Sequence, residues 1–421
     1  MMWCVLLTLL YSLGWSISLE ETLRRAVSYN PQIQAQRYHL EASRYQLFAE
    51  KSLYLPEIFI NGQLVHQSEA QSFFIPILQF TQQVQSTKRN YTLWSAGIRQ
   101  TLWDGGYREG AVYSAREEVS YRRYLFEEKL QEVKLEVIKA YLDTLKALRL
   151  VEVYRQQKEA IQAQYETAKA FYQKGLVAVT DVLQAKVRLS EVERTLRTAE
   201  GEYRVALANL SRLTGIKEEE LTPLEEPTLQ EEDRPLSYWL DMARSKRPIL
   251  KALAYLTEST RSKVLQARSQ FIPKLWFQGE YVYTDQNPAL YPRGFFRFSL
   301  GLSVSFQGIR PYYQAMALEK EVYRLMKEQE DTLGKVELEV RSSYEKWRTS
   351  LDNLRVAEDS LALARQYYQL SKEQYANQII TQTDLLASQA SLTKAEADLV
   401  IARYEHMKAL YELKKAAGVL P

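Results

Sequence analysis

The chain of 421 residues contains a single cysteine, Cys4, which excludes a disulfide framework and any thiolate metal cluster. Its three histidines, His39, His66 and His406, are scattered without metal-ligand spacing. Glycine (15) and proline (12) are too few for a loop-rich or collagen-like fold. Neither sign of charge dominates. Lys+Arg 55 against Asp+Glu 52 leaves +3, so no basic surface marks a nucleic-acid partner. There is no nucleophile elbow, no phosphate-cradling glycine loop and no pair of carboxylates in a plausible cleft, so neither an enzyme nor a cofactor is expected. Beyond the N-terminus no run of 18 apolar residues occurs, which excludes a bundle of membrane-spanning helices. What is present is a folding composition, with 25% charged and 12% aromatic residues.

Residues 3–17, WCVLLTLLYSLGWSI, form an apolar run of 15 residues. A membrane span needs about 20. Ser16 and Ser18 supply small residues, and the acidic helix start LEETL follows. This pattern predicts a secretory signal peptide over residues 1–18, cleaved near Ser18. No Lys or Arg precedes the run, and an N-terminal membrane anchor is the alternative.

The rest of the chain repeats itself at an offset of 203 residues. Leu130, Val133, Val137 and Tyr141 return as Leu333, Val336, Val340 and Tyr344, and Leu207, Leu210 and Gly215 as Leu410, Leu413 and Gly418. Near the strands the offset is 217, Pro56 matching Pro273, so the first copy carries an insertion of 14 residues between Pro56 and Gly97. The copies span 19–213 and 236–420, joined by the linker 214–235, which holds eight acidic residues and three prolines and reads as solvated. Each copy reads as helix, strand, loop, strand, very long helix, turn, helix. First helices are expected over 19–52 and 236–270, and long helices over 108–173 and 312–377. Such a long helix would extend about 100 Å at 1.5 Å per residue. Its apolar residues advance by threes and fours, the stripe of a packed helix.

Four segments alternate with period two. Ile58, Ile60 and Leu64 share one face; so do Trp94, Ala96, Ile98 and Leu102; so do Leu275, Phe277, Tyr281 and Tyr283; so do Phe296, Phe298, Leu300, Leu302, Val304 and Phe306. The opposite faces carry Glu57, Arg99, Lys274, Glu280 and Arg297. Strands of about 10 residues suit a tilted bilayer crossing, and aromatics at their ends suit the two interfaces. The competing interpretation is a soluble sheet packed under helices. In lipid no sheet edge can stay open, and four strands cannot enclose a lumen, so copies of the chain must pool their strands. Eight, twelve or sixteen strands all satisfy that physics.

The residues resemble the TolC-like outer membrane efflux proteins. ISLEETLRRAVSYNPQIQAQ resembles that family's first helix, LPEIFINGQ its helix-to-strand entry, and IRQTLWDGGYREG its strand-to-helix exit. KGLVAVTDVLQAKVRLSEVE resembles its first periplasmic turn, and YANQIITQTDLLASQASLTKAEADL its second. The resemblance implies an α+β membrane protein. A long antiparallel α-helical barrel would be continuous with a transmembrane β-barrel, with four strands per protomer and twelve in a homotrimer. It implies an outer membrane location with the helical part crossing the periplasm. The function implied is a passive exit duct for efflux or type I secretion. The partners implied are a periplasmic adaptor (membrane fusion) protein, an inner-membrane transporter of the RND, ABC or MFS type, and outer membrane lipid. The alternative function is a periplasmic or surface coiled-coil scaffold.

By the same resemblance the periplasmic gate falls on Thr180, Asp181, Tyr375, Ile380 and Asp384. The counterpart of Tyr375 bonds across to that of Thr180. Asp384 matches a pore-facing carboxylate repeated by symmetry, and such close like charges would raise one another's pKa. Ile380 stands where the family archetype has an Arg, and Ala387 where it has a second ring carboxylate. A gate of apolar and polar packing through Ile379, Ile380 and Gln382 is therefore expected. Helix capping is the plainer role for Asp181 and Asp384. Gly175 is expected to end the first long helix in the left-handed conformation. Lys174, Gly175, Leu176, Val177, Ala178, Gln378 and Ile379 form the expected adaptor-contact tip, with packing inside the turn as the alternative. Ile58, Ile60, Trp94, Ile98, Phe277, Tyr281, Phe296, Phe298 and Leu300 are the expected lipid-facing residues.

Overall fold

A computed structural model of the protein describes residues 16–77, 80–228, 233–304, 308–377 and 379–420. Most of the expected signal segment, and Phe306 and Gln378, lie outside the described residues.

Both expected first helices are broken in two. The first copy has α1 (Leu19–Tyr29) and α2 (Pro31–Ser52), and the second has α5 (Leu236–Lys246) and α6 (Pro248–Arg268). The breaks fall at Asn30 and Arg247, each followed by proline, whose ring denies the preceding residue the helical conformation. Asn30 sits at φ −58°, ψ 123° and Arg247 at φ −60°, ψ 118°. The long helices are α3 (Tyr107–Gln173) and α7 (Arg310–Ala376), followed by α4 (Val179–Thr214) and α8 (Gln382–Ala416). Each long helix has 67 residues, and their bounds differ by the 203 of the sequence repeat. Gly215 and Gly418, equivalent in the repeat, both adopt left-handed φ just past the last helix of their copy.

The break residues also correspond. Asn30 Nδ2 donates to the Leu213 carbonyl (3.4 Å), and Arg247 Nη1 donates to those of Lys415 (2.8 Å) and Ala416 (3.1 Å). Each copy thus uses the residue before its proline to satisfy carbonyls left over at the end of its last helix.

The described residues include six strands: β1 (Glu57–His66), β2 (Ser72–Ile77), β3 (Phe80–Gln85), β4 (Asn90–Trp103), β5 (Lys274–Thr284) and β6 (Gly294–Ser303). Four form one antiparallel sheet in the order β1-β4-β5-β6, leaving β1 and β6 as its edges. The insertion is a separate hairpin of β2 and β3, in the register Ser72↔Gln85 to Ile77↔Phe80.

The chain divides into two compact units. One comprises residues up to 38, 124–250 and 331–421; the other comprises 39–123 and 251–330 and holds the strands. In the first unit Ile33, Ile138, Tyr141, Leu142, Leu210 and Leu213 form one core, and Trp239, Val340, Leu410 and Leu413 another. The acidic linker is only partly solvated. Leu221 is fully buried in the first core, and Ile17 pairs as a parallel bridge with Leu224. The Tyr141 hydroxyl lies 2.8 Å from the Ile17 carbonyl and 2.6 Å from that of Glu225, and burial raises its pKa. The Glu226 carboxylate accepts from Arg149 (3.0 Å) and Tyr404 (2.6 Å). The last residues of the expected 1–18 segment, Ile17 and Ser18, therefore belong to the fold, Ser18 as the N-cap of α1. No helix among the described residues is long and apolar enough to cross a membrane.

Candidate functional site

Register decides what each face of the sheet carries. Directly paired residues share a face. Ile58↔Ile98, Ile60↔Ala96, Trp94↔Tyr283, Tyr281↔Phe296 and Phe277↔Leu300 put every expected lipid-facing residue on one side. Most of these side chains are uncovered in the protomer: Ile58 is 78% exposed, Phe296 and Phe298 71% each, and Leu300 68%, while Phe277 is half-buried. Among the described residues of the strand-bearing unit no helix packs on this face, contrary to the soluble-sheet alternative. The other face pairs Glu57 with Arg99 and Glu280 with Arg297. Arg297 Nε lies 3.2 Å from the Glu280 carboxylate, and Arg99 Nε donates to Gln278 Oε1 (2.8 Å). The Arg99 guanidinium also sits over the rings of Phe59 (5.7 Å) and Trp276 (5.5 Å). Trp276 lies across Gly301, where a Cβ would overlap its ring. One expectation shifts. The β4–β5 register slips between Thr101 and Trp103, so Trp103 rather than Leu102 pairs with Leu275. The bulge spends Leu102 as the extra residue.

The exit motif WDGGYR is an anchored turn. Asp104 accepts from the Tyr107 amide (3.1 Å) and from Arg108 Nε (2.8 Å), and Arg108 Nη1 returns to the Thr101 carbonyl (2.9 Å). Gly105 and Gly106 take left-handed φ of 70° and 95°, which L-residues with a Cβ adopt poorly. Asp104 and Arg108 are buried, so this ion pair fixes the strand end to the first turn of α3.

At the helix turns, Gly175 has φ +75° as expected, and the Leu176 amide donates to the Phe171 carbonyl (3.0 Å), closing α3. Lys174, Leu176, Ala178 and Ile379 are exposed and Val177 is half-buried. The gate residues are brought together only in part. Tyr375 and Ile380 are half-buried. Burial and then the nearby Asp181 carboxylate raise the Tyr375 phenol. Among the described residues no hydrogen bond joins Tyr375 to Thr180. The capping expectation divides. Asp384 forms a capping box with Thr381, accepting from its hydroxyl (2.6 Å) and amide (3.0 Å). These bonds lower its pKa in the protomer. Among the described residues Asp181 makes no capping bond: the N-cap of α4 is Ala178, which has no side-chain bond to give.

Sequence reading missed what joins the turns. Thr383 Oγ1 donates to Gln184 Oε1 (3.2 Å), linking α8 to α4, and Gln164 bonds Gln389, linking α3 to α8. Beneath them Ile161, Leu189 and Val192 pack with Leu386. Farther along the same unit, charge takes over: Lys146–Glu405 (3.1 Å), Lys408–Asp143 (2.9 Å) and Lys158–Glu193 (3.5 Å) cross between helices. Among the described residues no ion pair joins α4 to α8. Short polar side chains such as Gln184 and Thr383 carry no sequence pattern that marks them as partners.

The comparisons agree with this geometry. A sequence model of the family described as outer membrane efflux protein matches residues 22–216 and 239–419. The chain is similar to the alkaline protease secretion protein AprF of Pseudomonas aeruginosa, 26% identical over 292 residues, covering 67% of this chain and 58% of AprF. It is similar to protein CyaE of Bordetella pertussis, 25% identical over 230 residues, covering 53% of this chain and 48% of CyaE. The chain thus spans about half the length of the curated relatives it matches. Its fold is that of the outer membrane protein VceC of Vibrio cholerae, with a TM-score of 0.78 at 16% identity over 95% of this chain and 96% of VceC.

Proposed function

The chain belongs to the outer membrane efflux protein family, and on that premise we propose that three copies form one outer membrane exit duct. The single observation that carries this is the sheet. It exposes a largely apolar face, an ion-paired polar face, and two open edges, β1 and β6. Hydrocarbon tolerates the first and forbids the last. Strand β1 runs toward its loop end while β6 runs away from it, so β6 of one copy can pair antiparallel with β1 of the next. Repeated three times, this closes twelve strands around the polar face, with the apolar residues toward lipid.

The helical part would extend the duct into the periplasm. The turns after α3 and α7 would gate it through Thr180, Asp181, Tyr375, Ile380 and Asp384, held by neutral packing and the Thr383–Gln184 bond. The exposed Leu176 and Ile379 would meet a periplasmic adaptor, which couples the duct to an inner-membrane transporter. Of the two cargo classes, exported polypeptide is favoured, because AprF is named for protease secretion. An N-terminal export signal would be removed before Ile17, whose backbone is engaged in the fold.

The test is reconstitution of the processed protein. In detergent it should sediment as a trimer, and in planar bilayers it should give discrete conductance steps. A monomer that stays in solution without detergent would overturn the reading.

A further inference from the structure

A quarter of this chain is charged, yet two stretches beside each other are not. Residues 70–87, which include β2 and β3, have no charged side chain, and neither do residues 286–292 in the loop between β5 and β6. Both are also unusually bare of cover. In the hairpin Phe73 is 49% exposed, Ile75 38% and Phe80 81%, and the register puts them with Ile77, Gln82 and Val84 on one face, while Phe74, 66% exposed, stands on the other. In the loop, Leu290 is 53% and Tyr291 88% exposed. Solvated loops in a chain of this composition would carry Lys or Glu.

Lipid is a poor occupant for the hairpin. A two-stranded sheet has two open edges, and hydrocarbon leaves their amides and carbonyls unsatisfied. Topology supplies another. The hairpin rises from β1, an edge strand, and the loop leads into β6, the other edge. Within one copy the near side of the loop is already tied down. Asp285 accepts from the Thr92 amide (2.6 Å) and from Lys88 Nζ (3.0 Å), and the Lys88 amide donates to the Gln286 carbonyl (2.8 Å). Its far side, with Leu290 and Tyr291, leads to β6. We infer that the β2–β3 hairpin of one copy receives the Leu290–Tyr291 loop of the next, so that a belt of hairpin-on-loop contacts locks the strand barrel at its rim. This rests on the trimer reading, since only β6-to-β1 closure brings the two segments of neighbouring copies side by side. It goes beyond that reading by assigning the insertion, which the second copy lacks, to assembly.

Cysteine pairing tests it, because the only natural cysteine, Cys4, lies in the segment expected to be removed. Double variants Phe73→Cys with Tyr291→Cys, and Ile75→Cys with Tyr291→Cys, are oxidised in membranes and run without reductant. Ile60→Cys with Phe298→Cys, on the two sheet edges, reports β1–β6 closure independently. The inference expects covalent dimers and trimers from the edge pair and from at least one hairpin–loop pair. A Tyr291→Asp variant should then lower the temperature at which the trimer dissociates in SDS. Edge cross-links without any hairpin–loop cross-link would overturn the inference and leave the trimer standing. Absence of both would overturn the trimer as well.

Discussion

At the residue scale, Asp384 and Thr381 illustrate how one pair serves a local need before any symmetric one. The capping box holds the first turn of α8, whose amides would otherwise lack partners. Thr381→Ala should cost about 1 kcal/mol of local helix stability, the usual value of an N-cap. Amide exchange at Asp384 and Leu385 should accelerate about five-fold, with the rest of the chain unchanged. Asp285 gives a pH signature. The Thr92 amide and Lys88 hold its carboxyl at about 2, below the ordinary value of 3.8. A carboxyl depressed on folding contributes stability above its unfolded pKa and loses it as pH falls through the folded one. Protease sensitivity of residues 67–89 should therefore be flat above about pH 4 and rise as pH falls toward 2. Asp285→Asn should show the raised sensitivity at every pH. The Asp384 bonds lie outside what periodicity can reveal, but its place just after a turn and before an apolar helix did point to a cap. For Asp181 the same position misled, because Ala178, not a Ser or Thr, occupies the N-cap.

At the element scale, the repeat makes paired predictions. Leu210 and Leu413 are equivalent in the two copies and both are fully buried. Leu210→Ala and Leu413→Ala should each destabilise the helical unit by about 2–5 kcal/mol, measured by denaturant unfolding of the detergent-held protein. Unequal costs would show that the cores have diverged where the sequences have not. The breaks at Asn30–Pro31 and Arg247–Pro248 were written in the sequence, since proline forbids a helix through its neighbour, yet apolar periodicity on both sides suggested continuity. The hairpin was hidden for a related reason. Phe73, Ile75 and Ile77 alternate, and so do Phe80, Gln82 and Val84, but Pro76 within the run argues against a strand. It is tolerated because β2 pairs on one side only.

At the scale of the whole molecule, the two faces of the sheet should respond oppositely to charge. Phe298→Lys places an ammonium on the apolar face and should destabilise the proposed barrel by about 2–4 kcal/mol, read by folding into vesicles. Ser299→Lys, one residue on and on the polar face, should leave insertion intact and shift ion selectivity instead. If the two variants behaved alike, the sidedness of the barrel would be refuted. Asp384→Asn should reduce cation selectivity in planar bilayers if three of these carboxylates ring the pore.

The sequence alone determined the repeat, the long helices to within two residues, the four alternating strands and the family. The first three follow from periodicity, which is a property of neighbours along the chain; the family follows from the motifs the chain resembles. Tertiary structure decided the rest: which apolar side chains stay uncovered, how Glu226 and Leu221 draw the acidic linker into the core, and which polar groups tie α4 to α8. Those outcomes depend on residues distant in sequence meeting at hydrogen-bond distance, and no period records such meetings.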